Sequence, residues 1–184
     1  LEKLFLGVPG LDVVAPSIVH DPGALLGEAI LRHTRPVLFV EAKTDYGRRL
    51  LAPRGGMVDD LWFVRQGAGP WPEVRLSPTD FTEDEITVLA YGGMVSLVME
   101  ALEGLLYERE ICAEVVAPAM ISGLDMEGLD EIGAIDSLAA TGRLVVVEEG
   151  TLHNGWGSEI CACLTASGLA AGLRAPVGRV ASLD

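Results

Sequence analysis

The amino-acid sequence predicts an α/β fold with a mostly parallel sheet and helices on both of its faces. Short apolar runs typical of strands alternate with longer amphipathic segments typical of helices, and this alternation indicates βαβ units. The chain has 184 residues, of which 49% are hydrophobic, so it contains enough apolar material for a core. This composition excludes intrinsic disorder as the general state of the chain.

The first predicted βαβ unit lies near the start of the chain. The stretch from Asp12 to Pro16 predicts a short buried strand that ends at the proline. Asp21-Pro22 predicts a helix start, because aspartate accepts hydrogen bonds from free amides and proline loses nothing at the first helical position. We expect this helix to run to about His33 and a second buried strand to follow at Val37–Val40.

Prolines, glycines and acidic residues are concentrated between residues 43 and 85. This composition breaks the alternation of strands and helices. We interpret residues 51–85 as a linker that partly packs on its neighbours, with one strand at Leu61–Val64.

The alternation resumes at Ile86 with a stronger pattern. The predicted elements are, in order, a strand at 86–91, a helix at 94–110, a strand at 112–117, a helix at 126–140, a strand at 144–147, a helix at 157–172 and a strand at 177–183. Gly142 follows the second of these helices, as expected for a residue that ends a helix. The third helix is rich in small residues, so we expect a neighbour to pack closely against it.

The charge of the chain excludes two classes of partner. The net charge is −14, and residues 86–184 contribute −10 of it, with fourteen acidic and four basic residues. A surface this acidic repels phosphate backbones and anionic lipids, so we expect no nucleic-acid or membrane binding. The three cysteines show no disulfide-type spacing, and no uncharged stretch is long enough to span a bilayer. We therefore expect a cytoplasmic protein, and we expect this chain, which lacks an initial methionine, to be a fragment.

Two short motifs follow the strand at 144–147. Gly155-Trp156-Gly157 opens a predicted helix, where backbone amides can hold an anion, but Ile160 stands where a dinucleotide fingerprint requires a small residue. A tight turn is the simpler interpretation of these glycines. Glu148 and Glu149 end the predicted strand and point to opposite sides, so one is expected to cap a helix or contact a subunit and the other to be solvated.

The histidines and cysteines form no cluster with the spacing of metal ligands. His20, His33 and His153 are far apart in sequence, and His153 is the most interesting because it follows a core strand, where α/β proteins place functional groups. Cys161 and Cys163 lie two residues apart on a predicted helix and point in different directions, so we expect packing roles for them. From these patterns alone, the chain is an acidic α/β protein without an assigned activity.

The chain resembles the beta subunit of thiamine-diphosphate-dependent 2-oxoacid dehydrogenases of the pyruvate, branched-chain and acetoin type. The similarity begins with Leu1–Phe5 and the stretch Val8-Pro9-Gly10-Leu11-Asp12-Val13-Val14-Ala15-Pro16-Ser17. It continues, in the same order as in the family, through the segments 25–30, 36–47, 86–92, 141–150, 155–160 and 175–180. No single segment is specific for the family, but the whole set in this order is. Residues 51–85 match the family poorly.

The resemblance implies an arrangement of domains and partners. Residues 1–50 correspond to the last third of a pyrimidine-binding domain, and residues 86–184 to a C-terminal domain of the transketolase type. The family's beta subunit pairs with an alpha subunit and a second beta subunit, and the cofactor lies between subunits. Its C-terminal domain docks the basic subunit-binding domain of the dihydrolipoyl acyltransferase, and the net charge of −10 over residues 86–184 has the right sign for this contact.

The resemblance also implies that the reactive centre lies outside this chain. The family's catalytic glutamate and histidine precede the segment that corresponds to Leu1, so we expect no catalytic, cofactor-binding or metal residue here. Thiamine diphosphate and Mg²⁺ are expected only in the complete enzyme. The family often has aspartate and asparagine at a potassium site after the first helix, where this chain has Leu31-Arg32-His33-Thr34-Arg35, so potassium binding is doubtful.

The function expected from this resemblance is that of a part of a 2-oxoacid dehydrogenase. The complete enzyme decarboxylates a 2-oxo acid and transfers the acyl group to lipoyl groups, and this portion serves subunit assembly and docking to the acyltransferase core. Two alternatives are open: a non-catalytic interaction module, and a fragment of another transketolase-like enzyme.

Overall fold

Two β-sheets organise the chain. The computed structural model describes residues 2–51, 56–58, 60–78, 83–123 and 126–182. Within these ranges, the strands form a two-stranded parallel sheet near the start of the chain and a seven-stranded mixed sheet over the rest. The predicted α/β class with helices against a largely parallel sheet is confirmed.

The two-stranded sheet belongs to the predicted βαβ unit. Strands β1 (Asp12–Val14) and β2 (Val37–Phe39) are parallel and are joined by helix α1 (Pro22–Leu31). The predicted helix start is confirmed, because the Asp21 Oδ1 atom accepts a hydrogen bond from the Ala24 amide at 2.9 Å and Pro22 occupies the first turn.

The large sheet combines a parallel half with an antiparallel half. Its strands are β3 (Gly56–Val58), β4 (Trp62–Gln66), β5 (Val74–Pro78), β6 (Ile86–Ala90), β7 (Ala113–Ala117), β8 (Leu144–Thr151) and β9 (Gly178–Ser182), and the helices that follow them are α2 (Met94–Arg109), α3 (Met126–Glu131), α4 (Ala134–Thr141) and α5 (Trp156–Ala166). The spatial order is β3-β4-β5-β7-β6-β8-β9. The pairs among β6, β7, β8 and β9 are parallel, and those among β3, β4, β5 and β7 are antiparallel.

The helices cover both faces of this sheet, as predicted. Val88 and Ala90 of β6 pack in one core cluster with the apolar side of α2. Leu89, between them, packs in a second cluster with residues of α3, α4 and α5. Since neighbouring residues of a strand point to opposite faces, α2 lies on one face and the other three helices lie on the opposite face.

The segment that we expected to be a linker is more regular than predicted. Strands β4 and β5 form an antiparallel hairpin, and β5 pairs with β7. The sequence signal is a period-two alternation: Val74 and Leu76 are buried while Arg75 and Ser77 are half-buried. Because prolines and glycines surround these short strands, the segment was interpreted as a linker. Residues 52–55, 59 and 79–82 of this segment lie outside the described residues, and the division of the chain into domains stays a prediction.

Two helices are shorter than predicted, and one strand is longer. The predicted helix at 126–140 is divided into α3 and α4 at Gly133, which has a φ of 64°. The helix predicted to reach residue 172 ends at Ala166, because Gly168 has a φ of 80° and a 3-10 helix follows it. Strand β8 does not stop at Val147 but continues to Thr151. Such positive φ angles favour glycine and break regular helices.

Over the described ranges, none of the helices is long and apolar enough to cross a membrane.

Candidate functional site

The place where this fold would bind a ligand is the edge of the large sheet at the carboxyl ends of β6 and β8. The chain leaves β6 toward α2 on one face and leaves the neighbouring β8 toward α5 on the other face. Open α/β sheets bind ligands in the crevice that opens where such neighbouring connections diverge. We refer to the space bounded by Tyr91, Glu148 and Trp156 as the crevice.

Two buried aromatic residues form one wall of the crevice. Tyr91 follows β6, Trp156 begins α5, and their rings meet edge to face with centroids 5.0 Å apart. The Tyr91 hydroxyl donates a hydrogen bond to the Glu2 Oε1 atom at 2.6 Å. Burial and this carboxylate raise the pKa of Tyr91, so the phenol stays protonated and acts as a donor.

An ion pair forms the opposite wall. The Glu148 side chain is fully buried, and the Nη2 atom of Arg179 lies 2.6 Å from its Oε1 atom. The same Nη2 atom donates a hydrogen bond to the Leu152 carbonyl at 2.7 Å. Glu149, the next residue, is exposed. The predicted opposite orientation of the two glutamates is therefore confirmed, and Glu148 is the one that carries a structural contact.

Glu148 also explains the glycines of Gly155-Trp156-Gly157. A Cβ atom at Gly155 would lie 2.2 Å from the Glu148 Oε2 atom, and one at Gly157 would lie 2.8 Å from its Oε1 atom. The amino end of α5, where the sequence offered an anion site, is thus next to the chain's own carboxylate. This arrangement favours the simpler interpretation of the motif, in which the glycines permit a tight approach of the backbone.

The start of the chain fills the crevice. Glu2 is buried and reaches Tyr91, and Lys3 donates hydrogen bonds to the Thr151 side chain and to the His153 carbonyl. The βαβ unit covers the adjoining turn, where a Cβ atom at Gly93 would lie only 2.9 Å from that of Ala42. The crevice is therefore occupied by the segment before β1, and the segment after β2 lies on the adjoining turn.

The structure does not bring the three histidines together. His153 is exposed in the loop after β8, and its position next to Lys3 is at the margin of the crevice. His20 is buried, and its Nδ1 atom accepts a hydrogen bond from the Ser17 amide at 3.1 Å. Burial lowers the pKa of His20 to about 4, so this imidazole is neutral at physiological pH. Cys161 and Cys163, for which we expected packing roles, are both half-buried on α5, and Cys112 is buried.

His33 belongs to an ion-pair group that bears on the potassium site. The buried Asp12 Oδ2 atom lies 2.5 Å from the Nε2 atom of His33 and 2.9 Å from the Nε atom of Arg35. Two basic side chains thus occupy the space around this carboxylate, where a cation would need oxygen ligands. The residues present at this position do not fit a bound potassium ion.

The residues of the chain also fit thiamine diphosphate and Mg²⁺ poorly. A diphosphate needs a ring of donors, yet the amino end of α5 already faces Glu148. Among the described side chains, no group of three or more histidines, cysteines, aspartates or glutamates is arranged to hold a metal ion. We assign no residue of this chain to the coenzyme.

Sequence reasoning missed a second buried carboxylate. Glu114 of β7 is buried and accepts hydrogen bonds from the Nη2 atoms of Arg65 and Arg75 at 2.6 and 2.7 Å and from the Nε atom of Arg75 at 3.0 Å. The hydrogen bonds from Arg75 lower the pKa of Glu114 although burial, the largest single influence, raises it. Two features of the sequence indicated this cluster. One is a charged residue within the apolar run 113–117, and the other is the alternation of arginines with buried residues in β4 and β5.

The comparisons with known proteins agree with this fold. The family described as transketolase, C-terminal domain, matches residues 78–184. The chain is 36% identical over 149 residues to the acetoin:2,6-dichlorophenolindophenol oxidoreductase subunit beta of Cupriavidus necator. The aligned stretch covers 81% of this chain and 38% of that protein. It is 32% identical to the 2-oxoisovalerate dehydrogenase subunit beta of Bacillus subtilis, over 100% of this chain and 50% of that protein.

A solved structure titled split gene transketolase, inactive beta4 tetramer, matches with a TM-score of 0.58 and 22% identity over 99% of this chain and 51% of that chain. This likeness concerns the fold alone. The chain spans half the length or less of the two curated relatives named above. Because the family match covers more than half of its residues, the chain belongs to the transketolase C-terminal domain family.

Proposed function

We propose that this chain is the C-terminal part of the beta subunit of a thiamine-diphosphate-dependent 2-oxoacid dehydrogenase. The complete enzyme would decarboxylate a 2-oxo acid and transfer the acyl group to a lipoyl group. This portion would join the subunits and would dock the acyltransferase core. The observation that carries the proposal is the similarity to the beta subunit of 2-oxoisovalerate dehydrogenase along the whole chain, at 32% identity.

The filled crevice supports an assembly role for this portion. The place where an α/β sheet usually binds its ligand holds Glu2, Tyr91 and the Glu148–Arg179 ion pair. The Tyr91–Glu2 hydrogen bond fixes the segment before β1 on the large sheet. The chemistry of the enzyme would then depend on residues of the remaining half of the beta subunit and on an alpha subunit.

The charge distribution supports the proposed partners. We propose an assembly with an alpha subunit and a second beta subunit, to which the basic subunit-binding domain of the dihydrolipoyl acyltransferase docks. Residues 86–184 carry a net charge of −10. Opposite charges on two partners raise their rate of association and suppress binding of wrong partners.

Two measurements test the proposal. The complete beta subunit that contains this chain, coexpressed with its alpha subunit, should release carbon dioxide from a 2-oxo acid in the presence of thiamine diphosphate and Mg²⁺. Calorimetric titration of thiamine diphosphate and Mg²⁺ into the 184-residue chain alone should give no heat of binding. Tight binding by the chain alone would contradict the proposal that its residues do not form the coenzyme site.

A second candidate activity is the oxidation of acetoin. The specific observation in its favour is the higher identity, 36%, to the acetoin-oxidising relative, although over a shorter stretch. Assays of the assembled enzyme with acetoin and with a panel of 2-oxo acids, under the same conditions, distinguish the two candidates. Turnover of acetoin with no turnover of any 2-oxo acid would favour this second candidate over the first.

A further inference from the structure

The loop between β8 and α5 contains the chain's one asparagine, and a glycine follows it. Asparagine occurs in the sequence only as Asn154, and Gly155 is the residue from which α5 begins. An asparagine before a glycine loses its side-chain amide with particular ease, because glycine has no Cβ atom to hinder the approach of its own amide nitrogen to the asparagine side chain. The sequence therefore places its most reactive amide in this loop.

The Asn154 side chain is accessible to water and to the neighbouring amide. The residue is exposed, and its φ of 53° lies in the left-handed region, which asparagine adopts more readily than most residues with a Cβ atom. Over the described ranges, no hydrogen bond involves the Asn154 carboxamide or the Gly155 amide nitrogen. Gly155 is buried, but its nitrogen is bonded to Asn154, so rotation about the bonds of Asn154 is enough to bring the two groups together.

We propose that Asn154 is a site of spontaneous deamidation. The Gly155 nitrogen gives up its proton to water or hydroxide and attacks the Asn154 Cγ atom. A bond forms between these two atoms, and the side-chain amino group takes up a proton and leaves as ammonia. Water then opens the resulting succinimide ring, so the net reaction consumes one water molecule. Opening at the Cγ carbonyl gives aspartate, and opening at the main-chain carbonyl gives isoaspartate, in which the main chain runs through the former side chain.

The isoaspartate product would disturb the margin of the crevice. Its main chain contains one additional methylene, in a loop whose carbonyls are already bound. The Leu152 carbonyl accepts a hydrogen bond from Arg179 at 2.7 Å. The His153 carbonyl accepts one from Lys3 at 3.4 Å. A longer main chain at position 154 should weaken both contacts, whereas aspartate adds an exposed charge and leaves the length of the main chain unchanged.

Incubation of the purified 184-residue chain in mildly alkaline buffer tests the proposal, with peptide mapping by mass spectrometry and labelling by an isoaspartate-specific methyltransferase. We expect Asn154 to be converted at a rate within about tenfold of that of an unstructured peptide with the sequence of residues 151–158, because exposed loops open at little cost in free energy. Gln66 is an internal control, since it is also exposed and precedes a glycine, but its longer side chain forms the corresponding ring far more slowly. Asn154→Gln should give no isoaspartate at this position.

Thermal denaturation measures the effect of the modification on the fold. Ion-exchange chromatography separates the deamidated protein from the unmodified protein, because deamidation adds a negative charge. The deamidated fraction that contains isoaspartate should melt about 3 °C below the unmodified protein. The matched control is Asn154→Asp, which has the new charge without the additional methylene and should melt within about 1 °C of the wild type.

The outcomes separate the site from its consequence, and neither depends on the proposed function. Conversion of the peptide without conversion of the folded chain would overturn the site, because the loop would then hold Asn154 away from the Gly155 nitrogen. Equal melting temperatures of the isoaspartate-containing and unmodified proteins would overturn the predicted loosening of the crevice margin. A melting temperature of Asn154→Asp as low as that of the isoaspartate-containing protein would assign the loss to charge and would also overturn the loosening.

Discussion

Two buried carboxylates lie on the same face of the large sheet, at opposite ends of its strands. Glu114, at the amino end of β7, receives hydrogen bonds from two arginines through both of its oxygens. Glu148, toward the carboxyl end of β8, is paired with Arg179 through Oε1 only, while its Oε2 atom has no hydrogen-bond partner among the described residues. Both oxygens of Glu114 thus accept hydrogen bonds, whereas within the described part of the chain only one oxygen of Glu148 does.

This difference follows from what each end of the sheet does. At the amino end of β7, the neighbouring strands β4 and β5 supply Arg65 and Arg75, which pair with both oxygens of Glu114. The carboxyl end faces the βαβ unit, and its polar groups meet a surface from a distant part of the chain. Buried polar groups without partners are rare, and among the described residues the Trp156 Nε1 and Arg179 Nε atoms at this end also have no hydrogen-bond partner.

The largest expected effect is the removal of the charge at the satisfied end. Glu114→Gln should lower the free energy of unfolding by about 3 kcal/mol, because it leaves two arginines beside a buried neutral group. Glu148→Gln should cost about 1 kcal/mol, since Arg179 keeps its hydrogen bond to the Leu152 carbonyl. Urea denaturation of both variants measures the difference. Equal losses would contradict the contrast between the two ends.

A smaller effect is expected from a methyl group at the unsatisfied end. Gly155→Ala should lower the free energy of unfolding by about 1–3 kcal/mol, because the new Cβ would lie 2.2 Å from the Glu148 carboxylate and 2.5 Å from the Thr151 carbonyl. The matched control is Gly104→Ala on α2, where no atom beyond the chain neighbours and the helix's own backbone lies within 4 Å of the new Cβ. That variant should be stabilised by about 0.5–1 kcal/mol, since alanine favours the helix. Thermal denaturation compares the two, and a stable Gly155→Ala variant would show that Glu148 is not held against α5.

His20 is a third buried ionisable group, and among the described residues no acidic side chain is paired with it. Its pKa is lowered to about 4, so the unfolded chain binds more protons than the folded one between about pH 4 and pH 6.5. Stability should therefore fall by roughly 1–2 kcal/mol as the pH is lowered from 7 to 5. The pKa of Glu114 is lowered from its ordinary value of 4.5, so the stability that it contributes is lost only at lower pH.

Urea denaturation at pH 7 and pH 5 checks this expectation. His20→Gln should remove most of the pH dependence, whatever its effect on stability at pH 7. His153→Asn, which changes an exposed histidine, should retain the pH dependence of the wild type. The same slope in His20→Gln and in the wild type would exclude His20 as its source.

The sequence was sufficient for the elements whose pattern is local. The capped start of α1, the runs of β6 and β7 and the length of α2 follow from residue spacing and are close to their predicted bounds. A strand was predicted at Leu61–Val64, where β4 lies, but β5 and its pairing with β4 were missed, because Arg65 and Arg75 depend on Glu114 of the distant β7 for neutralisation. No local pattern could have supplied that partner.

Dependence on distant residues also explains why the sequence did not predict the contacts of the candidate site. Glu148 and the glycines of α5 were recognised as a motif, but their role depends on contacts with residues far away in sequence. Glu2 meets Tyr91 across 89 residues, and Arg179 meets Glu148 across 31. The resemblance to a known family supplied the order of the segments, whereas the filling of the crevice became visible only when the βαβ unit was placed on the sheet.

The smallest expected effect concerns Asp12, a buried carboxylate outside the large sheet that has two basic partners, as Glu114 does. Arg35→Gln should cost about 1 kcal/mol or less, because Arg35 is half-exposed and His33 remains beside Asp12. The melting temperature of the wild type should be the same in potassium chloride and sodium chloride of equal concentration, since the Arg35 guanidinium neutralises this carboxylate and the His33 ring lies against it. Stabilisation by potassium alone would contradict the reading of His33 and Arg35 as its permanent partners. Stabilisation by potassium that appears only in Arg35→Gln would show that the arginine occupies a space that a cation can fill. Asp12 and Glu114 would then both be buried carboxylates that basic side chains of the same chain neutralise.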